Sequence, residues 1–127
     1  MAYIINLVNF KDSRGELSVL DNVDKLLPFV IKRVFYIYKV DESIRGGHRH
    51  HKTVQAAICI SGKCAVLNDD GDKVEEFQLD SPTKCLILET KDWHKMYKFS
   101  EDAILLVFAS TIFDASDYIY EPYATSK

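Results

Sequence analysis

Three of the four histidines, His48, His50 and His51, fall within four positions, directly after Arg45-Gly46-Gly47. Residues two apart on a strand share a face, so His48 and His50 project together while Arg49 and His51 point away. An imidazole with an ordinary pKa of about 6.5 accepts and returns a proton near neutral pH, and it also ligates metals. Two of them on one wall of a β-structure therefore suit either a metal site or proton transfer. An HxH also occurs in solvated, histidine-rich turns, so the surrounding chain has to decide between these readings.

The elements that would position such a pair are short strands. Ala2–Val8, Glu16–Leu20, Arg33–Val40, Lys52–Ile60, Lys63–Leu67, Lys73–Leu79, Lys84–Leu88, Lys95–Phe99 and Ala103–Ala109 are rich in β-branched and aromatic residues. Turn residues separate them: Lys11-Asp12-Ser13-Arg14-Gly15, Gly46-Gly47, Ser61-Gly62 and Asp69-Asp70-Gly71. The last of these favours a hairpin, because Asp-Gly tolerates the positive φ angles of tight turns. Asn22–Leu27 predicts one helical turn stopped by Pro28, and the tail Phe113–Tyr120 predicts weak helix. Many short strands with almost no helix indicate an all-β antiparallel sandwich or barrel.

The 127 residues form a single domain, 1–127, and 47% hydrophobic content suits a packed core. A net charge of −3 gives no bulk attraction for nucleic acid or an anionic membrane, although a local basic pocket for phosphate is compatible with it. No apolar run approaches the roughly 20 residues of a membrane span, and the start MAYIINLVNFKD lacks the basic region and cleavage site of a signal peptide. Cys59, Cys64 and Cys85 are odd in number, contain no CxxC and sit in apolar stretches. They read as reduced core residues of a cytoplasmic protein.

The stretch Gly47–Gly62, G-H-R-H-H-K-T-V-Q-A-A-I-C-I-S-G, resembles the first motif of the cupin superfamily, an HxH followed by an acidic residue and a glycine-closed turn. His94, in Lys91-Asp92-Trp93-His94, falls where the second cupin motif carries its histidine. A metal cupin would use His48, His50, the acidic residue and His94 as ligands. Here Gln55 occupies the acidic position, which removes an anionic ligand and disfavours a divalent metal.

A more specific resemblance covers nearly the whole chain. Asp12-Ser13-Arg14-Gly15-Glu16-Leu17, Pro28-Phe29, Lys32–Tyr38, Arg45–His50, Asp69-Asp70-Gly71, Trp93-His94-Lys95-Met96, Ala109-Ser110 and Asp114–Ile119 are similar, in order, to blocks of the dTDP-4-keto-6-deoxy-glucose 3,4-ketoisomerases. This resemblance implies a cupin jelly-roll barrel, a homodimer with exchanged N-terminal strands, and acid–base catalysis without a metal or any other cofactor. It further implies a dTDP-linked keto-sugar as ligand and a place in the biosynthesis of 3-amino-3,6-dideoxy sugars of surface polysaccharide. The family commonly has H-A-H-K where this chain has Arg49 and His51, both off the face shared by the histidine pair.

Moving a ketone from C4 to C3 is a tautomerisation through an enediol, and it needs a base at C3. The resemblance assigns His50 as that base and His48 as its partner. Tyr36 matches a family active-site tyrosine whose phenol would hydrogen-bond the enolate oxygen. Arg45 and Arg33 are candidates for the pyrophosphate, since guanidinium pairs phosphate oxygens in bidentate fashion. Arg14 would border the sugar, Trp93 and His94 would wall the pocket, and Gln55 would hydrogen-bond within it. A 3,5-epimerase-like cupin, a non-catalytic sugar-binding cupin and a metal-dependent dioxygenase are the competing readings.

Overall fold

The computed structural model describes residues 1–124. In chain order the elements are β1 Tyr3–Asn6, β2 Val8–Asp12, β3 Gly15–Val19, α1 Val23–Leu26, β4 Arg33–Tyr38, β5 Arg45–His50, β6 Gln55–Ser61 and β7 Cys64–Asp69. There follow β8 Val74–Leu79, β9 Lys84–Leu88, β10 Trp93–Tyr97, β11 Ile104–Ala109, a 3-10 turn at Ala115–Asp117 and β12 Tyr118–Ile119. One five-stranded sheet has the order β1-β9-β6-β11-β4, and a second has β12-β5-β10-β7-β8. All pairings are antiparallel. The domain is thus a nearly all-β double-sheet jelly roll.

The two sheets face each other over a core that takes Ile37, Ala57, Cys59, Leu86 and Leu105 from the first and Cys64, Val66, Leu79 and Met96 from the second. The strands of the first sheet alternate cleanly at its edge. In β4, Ile37 is buried while Val34, Tyr36 and Tyr38 stand out in solvent. Its centre is covered on both faces, because Leu7, Leu27 and Phe29 pack on Ala56, Ile58 and Ile87 from outside. The continuous apolar run of β6 follows from this double burial. Cys59, Cys64 and Cys85 are free and buried.

The Asp69-Asp70-Gly71 turn joins β7 to β8 as the Asp-Gly pair requires, with Gly71 at φ 98° and its N–H donating to Asp69 Oδ1 at 2.9 Å. Elsewhere three local expectations change. The predicted strand Ala2–Val8 is broken at Leu7, whose side chain is buried and whose N–H donates to the Thr83 carbonyl at 2.8 Å. β1 then joins the first sheet, while β2 and β3 form a separate two-stranded hairpin. The Gly46-Gly47 break lies inside β5, and the strand expected to begin at Lys52 begins at Gln55. Finally, Phe113–Tyr120 is not helical. Asp114 caps a single 3-10 turn through Ser116 N at 3.0 Å, and Tyr118–Ile119 then adds to the second sheet beside β5.

Candidate active site

Two neighbouring strands of the second sheet carry the histidines. β5 and β10 pair with His94 opposite His48, but Lys95 lies opposite Gly46, so β5 holds one extra residue at Gly47. This is a β-bulge, and both glycines sit at φ 82°, a conformation that disfavours side chains. A Cβ on Gly46 would lie 3.0 Å from Met96 Sδ and 3.1 Å from the His94 carbonyl oxygen. The extra residue shifts the alternation, so Arg45 lies on the same cavity wall as His48 although three positions separate them.

The three imidazoles gather at the inner face. Ring centroids are 4.9 Å apart for His48–His50, 5.0 Å for His48–His94 and 6.1 Å for His50–His94. His48 and His94 line a cavity of about 220 Å3 between the sheets, together with Gln55, Arg45, Phe35 and Tyr118. His50 is 3% exposed and is not on that wall. Burial is the main force that lowers the pKa of each ring to about 4. The neighbouring imidazoles add to it, and at His50 the Arg33 charge does too, while Asp117 partly opposes the shift there. All three rings are therefore neutral at pH 7.

His94 Nδ1 lies 3.0 Å from the Asp92 carbonyl oxygen. A carbonyl only accepts, so Nδ1 carries the proton and Nε2 keeps its lone pair. His94 Nε2 and His50 Nε2 are both buried without a protein partner. Among the described residues no three His, Cys, Asp or Glu side chains converge as a metal-ligand set. With a neutral amide at Gln55, the donors present are a poor fit to a divalent ion.

The remaining predicted residues divide. Gln55 is buried on β6 at the cavity, and Arg45 is exposed at its rim. Arg33 is partly buried, with its guanidinium carbon 5.6 Å from the Phe35 ring and 5.7 Å from that of Phe113. Arg33 is not on the cavity lining, and three further residues lie away from it. Tyr36 alternates with Phe35 and Ile37, so it points outward, 62% exposed, beside Tyr38, Ile60, Ile104 and Leu106. Trp93 alternates with His94 and turns away, its Nε1 donating to the Tyr120 carbonyl at 3.1 Å. Arg14 stands at the tip of the β2–β3 hairpin, paired with Asp12 at 2.7 Å.

Tyr118 was missed by sequence reasoning. Its ring centroid lies 4.6 Å from that of His48 and 4.8 Å from that of His50. The signal was the Asp114–Ile119 block itself, hidden by reading the tail as helix.

The profile of the WxcM-like, C-terminal family (FdtA) matches residues 2–126. The chain is 42% identical over 117 residues to the TDP-4-oxo-6-deoxy-alpha-D-glucose-3,4-oxoisomerase of Aneurinibacillus thermoaerophilus, covering 91% of this chain and 84% of that protein. Its fold is similar to the WlaRB TDP-quinovose 3,4-ketoisomerase of Campylobacter jejuni, at 40% identity and TM-score 0.87 over 94% of this chain and 92% of the other. It is also similar to a histidine-to-asparagine variant of the 3,4-ketoisomerase QdtA from Thermoanaerobacterium thermosaccharolyticum, in complex with TDP-4-keto-6-deoxyglucose. There the identity is 33% and the TM-score 0.89, over 94% of this chain and 87% of that one. Matched from residue 2 to residue 126, with His48, His50 and His94 gathered on its second sheet, the chain belongs to the WxcM-like, C-terminal (FdtA) family.

Proposed function

We propose that the protein is a TDP-sugar 3,4-ketoisomerase acting on TDP-4-keto-6-deoxyglucose. The observation that carries this reading is the neutral imidazole of His48 on the wall of a cavity sized for one sugar ring, in a chain 42% identical to an oxoisomerase of that sugar. The cavity of about 220 Å3 is smaller than the roughly 300–1,000 Å3 of sites that enclose drug-sized ligands. The hexose enters and the nucleotide stays at the rim, where exposed Arg45 is placed to pair a phosphate.

His48 takes the C3 proton. The C3–H electron pair forms the C3=C4 bond, and the C4=O pair moves onto O4. Protonation at O4 gives the enediol. Loss of the O3 proton and delivery of a proton to C4 then leave the ketone at C3. C3 is oxidised and C4 reduced within one molecule, so no external oxidant is needed. Burial of His50 behind His48 supports the reverse of the assignment drawn from resemblance: His48 is the base, and His50 holds its ring edge-on, at 80° between ring planes. Gln55 and the Nε2 lone pair of His94 are placed to hold the sugar hydroxyls. The 3-keto product suits a following amino transfer to C3, in the cytoplasm, where the three free cysteines stay reduced.

The working unit is a homodimer. Val8, Phe10 and Leu17 are more than half exposed on the β2–β3 hairpin, which among the described residues pairs with no other strand. Tyr36, Tyr38, Ile60, Ile104 and Leu106 form an open apolar face on the first sheet. A second copy of the chain covers both.

The test is NMR in deuterated water with TDP-4-keto-6-deoxyglucose, run on the wild type, His48→Asn and a chelator-treated sample. A 3-keto sugar carrying deuterium at C4, lost in the variant and kept after chelation, supports the reading. Binding without conversion makes the protein a sugar-binding cupin.

A further inference from the structure

The isomerisation assigned above, on which this inference rests, places negative charge on O4, and that charge needs a donor. The histidines are badly equipped to supply it. All three rings are neutral, and His94 has committed its one N–H to the Asp92 carbonyl. Tyr36, the phenol that the sequence nominated, faces the opposite side of its sheet. Among the described residues one tyrosine does line the cavity, and it is Tyr118.

Its placement is fixed by a series of contacts. Tyr118 is registered opposite His50 in the β5–β12 ladder. The residue before it, Asp117, is 3% exposed and anchors the corner. Its carboxylate accepts from Lys52 N at 2.8 Å and from the Thr53 hydroxyl, while its carbonyl accepts from His51 N at 2.9 Å. Thr53, 1% exposed, is itself hydrogen-bonded to Thr111 at 2.7 Å. The ring then packs against the two imidazoles and also against Phe113 and Tyr120, whose centroids are 5.9 and 6.0 Å away. A two-residue strand is too short to hold its own register, so the buried Asp117–Thr53 latch supplies what the ladder lacks.

We propose that Tyr118 supplies the hydroxyl that hydrogen-bonds the reacting carbonyl oxygen, and that the Asp117–Thr53 latch is the device that positions it. The phenol O–H points its hydrogen at O4 while His48 withdraws the proton from C3. No bond to the tyrosine forms, and the hydroxyl stabilises the enolate until O4 is protonated.

Three measurements test this. In Tyr118→Phe, which keeps the ring and its packing, kcat falls about 100-fold, as when an oxyanion donor is lost, with KM within threefold and the melting temperature unchanged. In a His48→Asn background, which holds the substrate unreacted, isotope-edited infrared spectroscopy of the bound ketone shows a lower C4=O stretch with Tyr118 than with Tyr118→Phe. Thr53→Val lowers kcat without changing KM, and Thr53→Ser, which keeps the hydroxyl, restores it. A Tyr118→Phe enzyme within twofold of wild-type kcat, or a carbonyl band that does not move, overturns the role while leaving the ketoisomerase reading intact. A wild type that does not convert the sugar removes both.

Discussion

His48 and His94 sit opposite each other on adjacent strands with their rings edge-on and 5.0 Å apart, and each meets the backbone: His94 Nδ1 lies 3.0 Å from the Asp92 carbonyl oxygen, while a hydrogen bond with the Gly46 backbone partly opposes the lowering of the His48 pKa. The backbone contact fixes the His94 tautomer and orientation. His48, on the cavity wall, keeps a ring nitrogen to exchange a proton, and the neighbouring His94 disfavours charge on it. The pairing gives a site of two neutral bases with separate tasks.

Acid should erode the fold before it protonates the intact site. Each histidine has its pKa lowered from the ordinary 6.5 to about 4, so the unfolded chain binds protons that the folded one refuses. Their contribution is full above about pH 6.5 and is lost as the pH falls through about 4. Thermal denaturation from pH 8 to pH 4 should show a melting temperature that drops below about pH 6.5. A His94→Asn variant should show a shallower decline.

Replacing the base should separate the two histidines of the HxH. We expect His48→Asn to lower kcat by about 100- to 10,000-fold while the sugar nucleotide still binds, the range typical of a lost general base. His50→Asn should cost less in kcat and more in thermal stability, because His50 is buried behind the cavity wall. Steady-state kinetics with isothermal titration calorimetry checks both.

The bulge at Gly46-Gly47 should tolerate no side chain. Gly46→Ala puts a Cβ 3.0 Å from Met96 Sδ in a backbone held at φ 82°, and it should destabilise by about 1–3 kcal/mol. Activity should fall further than stability, since the bulge sets which residues of β5 face the cavity. Denaturant melts and kinetics on one preparation separate the two effects.

The outer apolar face should report on assembly. Phe10→Asp or Tyr36→Asp places a charge on surface assigned above to the contact with a second copy, and should convert a dimer to monomer in analytical ultracentrifugation. Tyr36→Phe should leave kcat within twofold, because the ring lies outside the cavity.

Chelation should leave the rate unchanged. Gln55 offers only a neutral amide where a metal cupin has a carboxylate, and among the described residues no ligand set converges. Turnover after exhaustive treatment with a chelator, with metal content followed by atomic absorption, is the check.

The strand-rich architecture, the Asp-Gly hairpin, the buried cysteines and the HxH pair were all legible in the chain's local patterns. These depend on short-range chemistry: side-chain shape on a pleated surface, positive φ at glycine, and residues two apart sharing a face. The same rule did not tell which way Tyr36 would face. Alternation tells which residues of one strand share a side, and it does not tell which side meets the other sheet. In β4 the inward set is Phe35 and Ile37, fixed by packing against the core, and that turns Tyr36 to the surface. In β5 a single extra residue at Gly47 shifts the phase, a choice made jointly with the register of β10. Tyr118 needed still more distant information. Its strand is two residues long, and Asp117 beside it accepts a hydrogen bond from Thr53, 64 positions away in the chain. No local pattern encodes that contact, so only the tertiary structure could bring a tyrosine from the tail over the histidines of the centre.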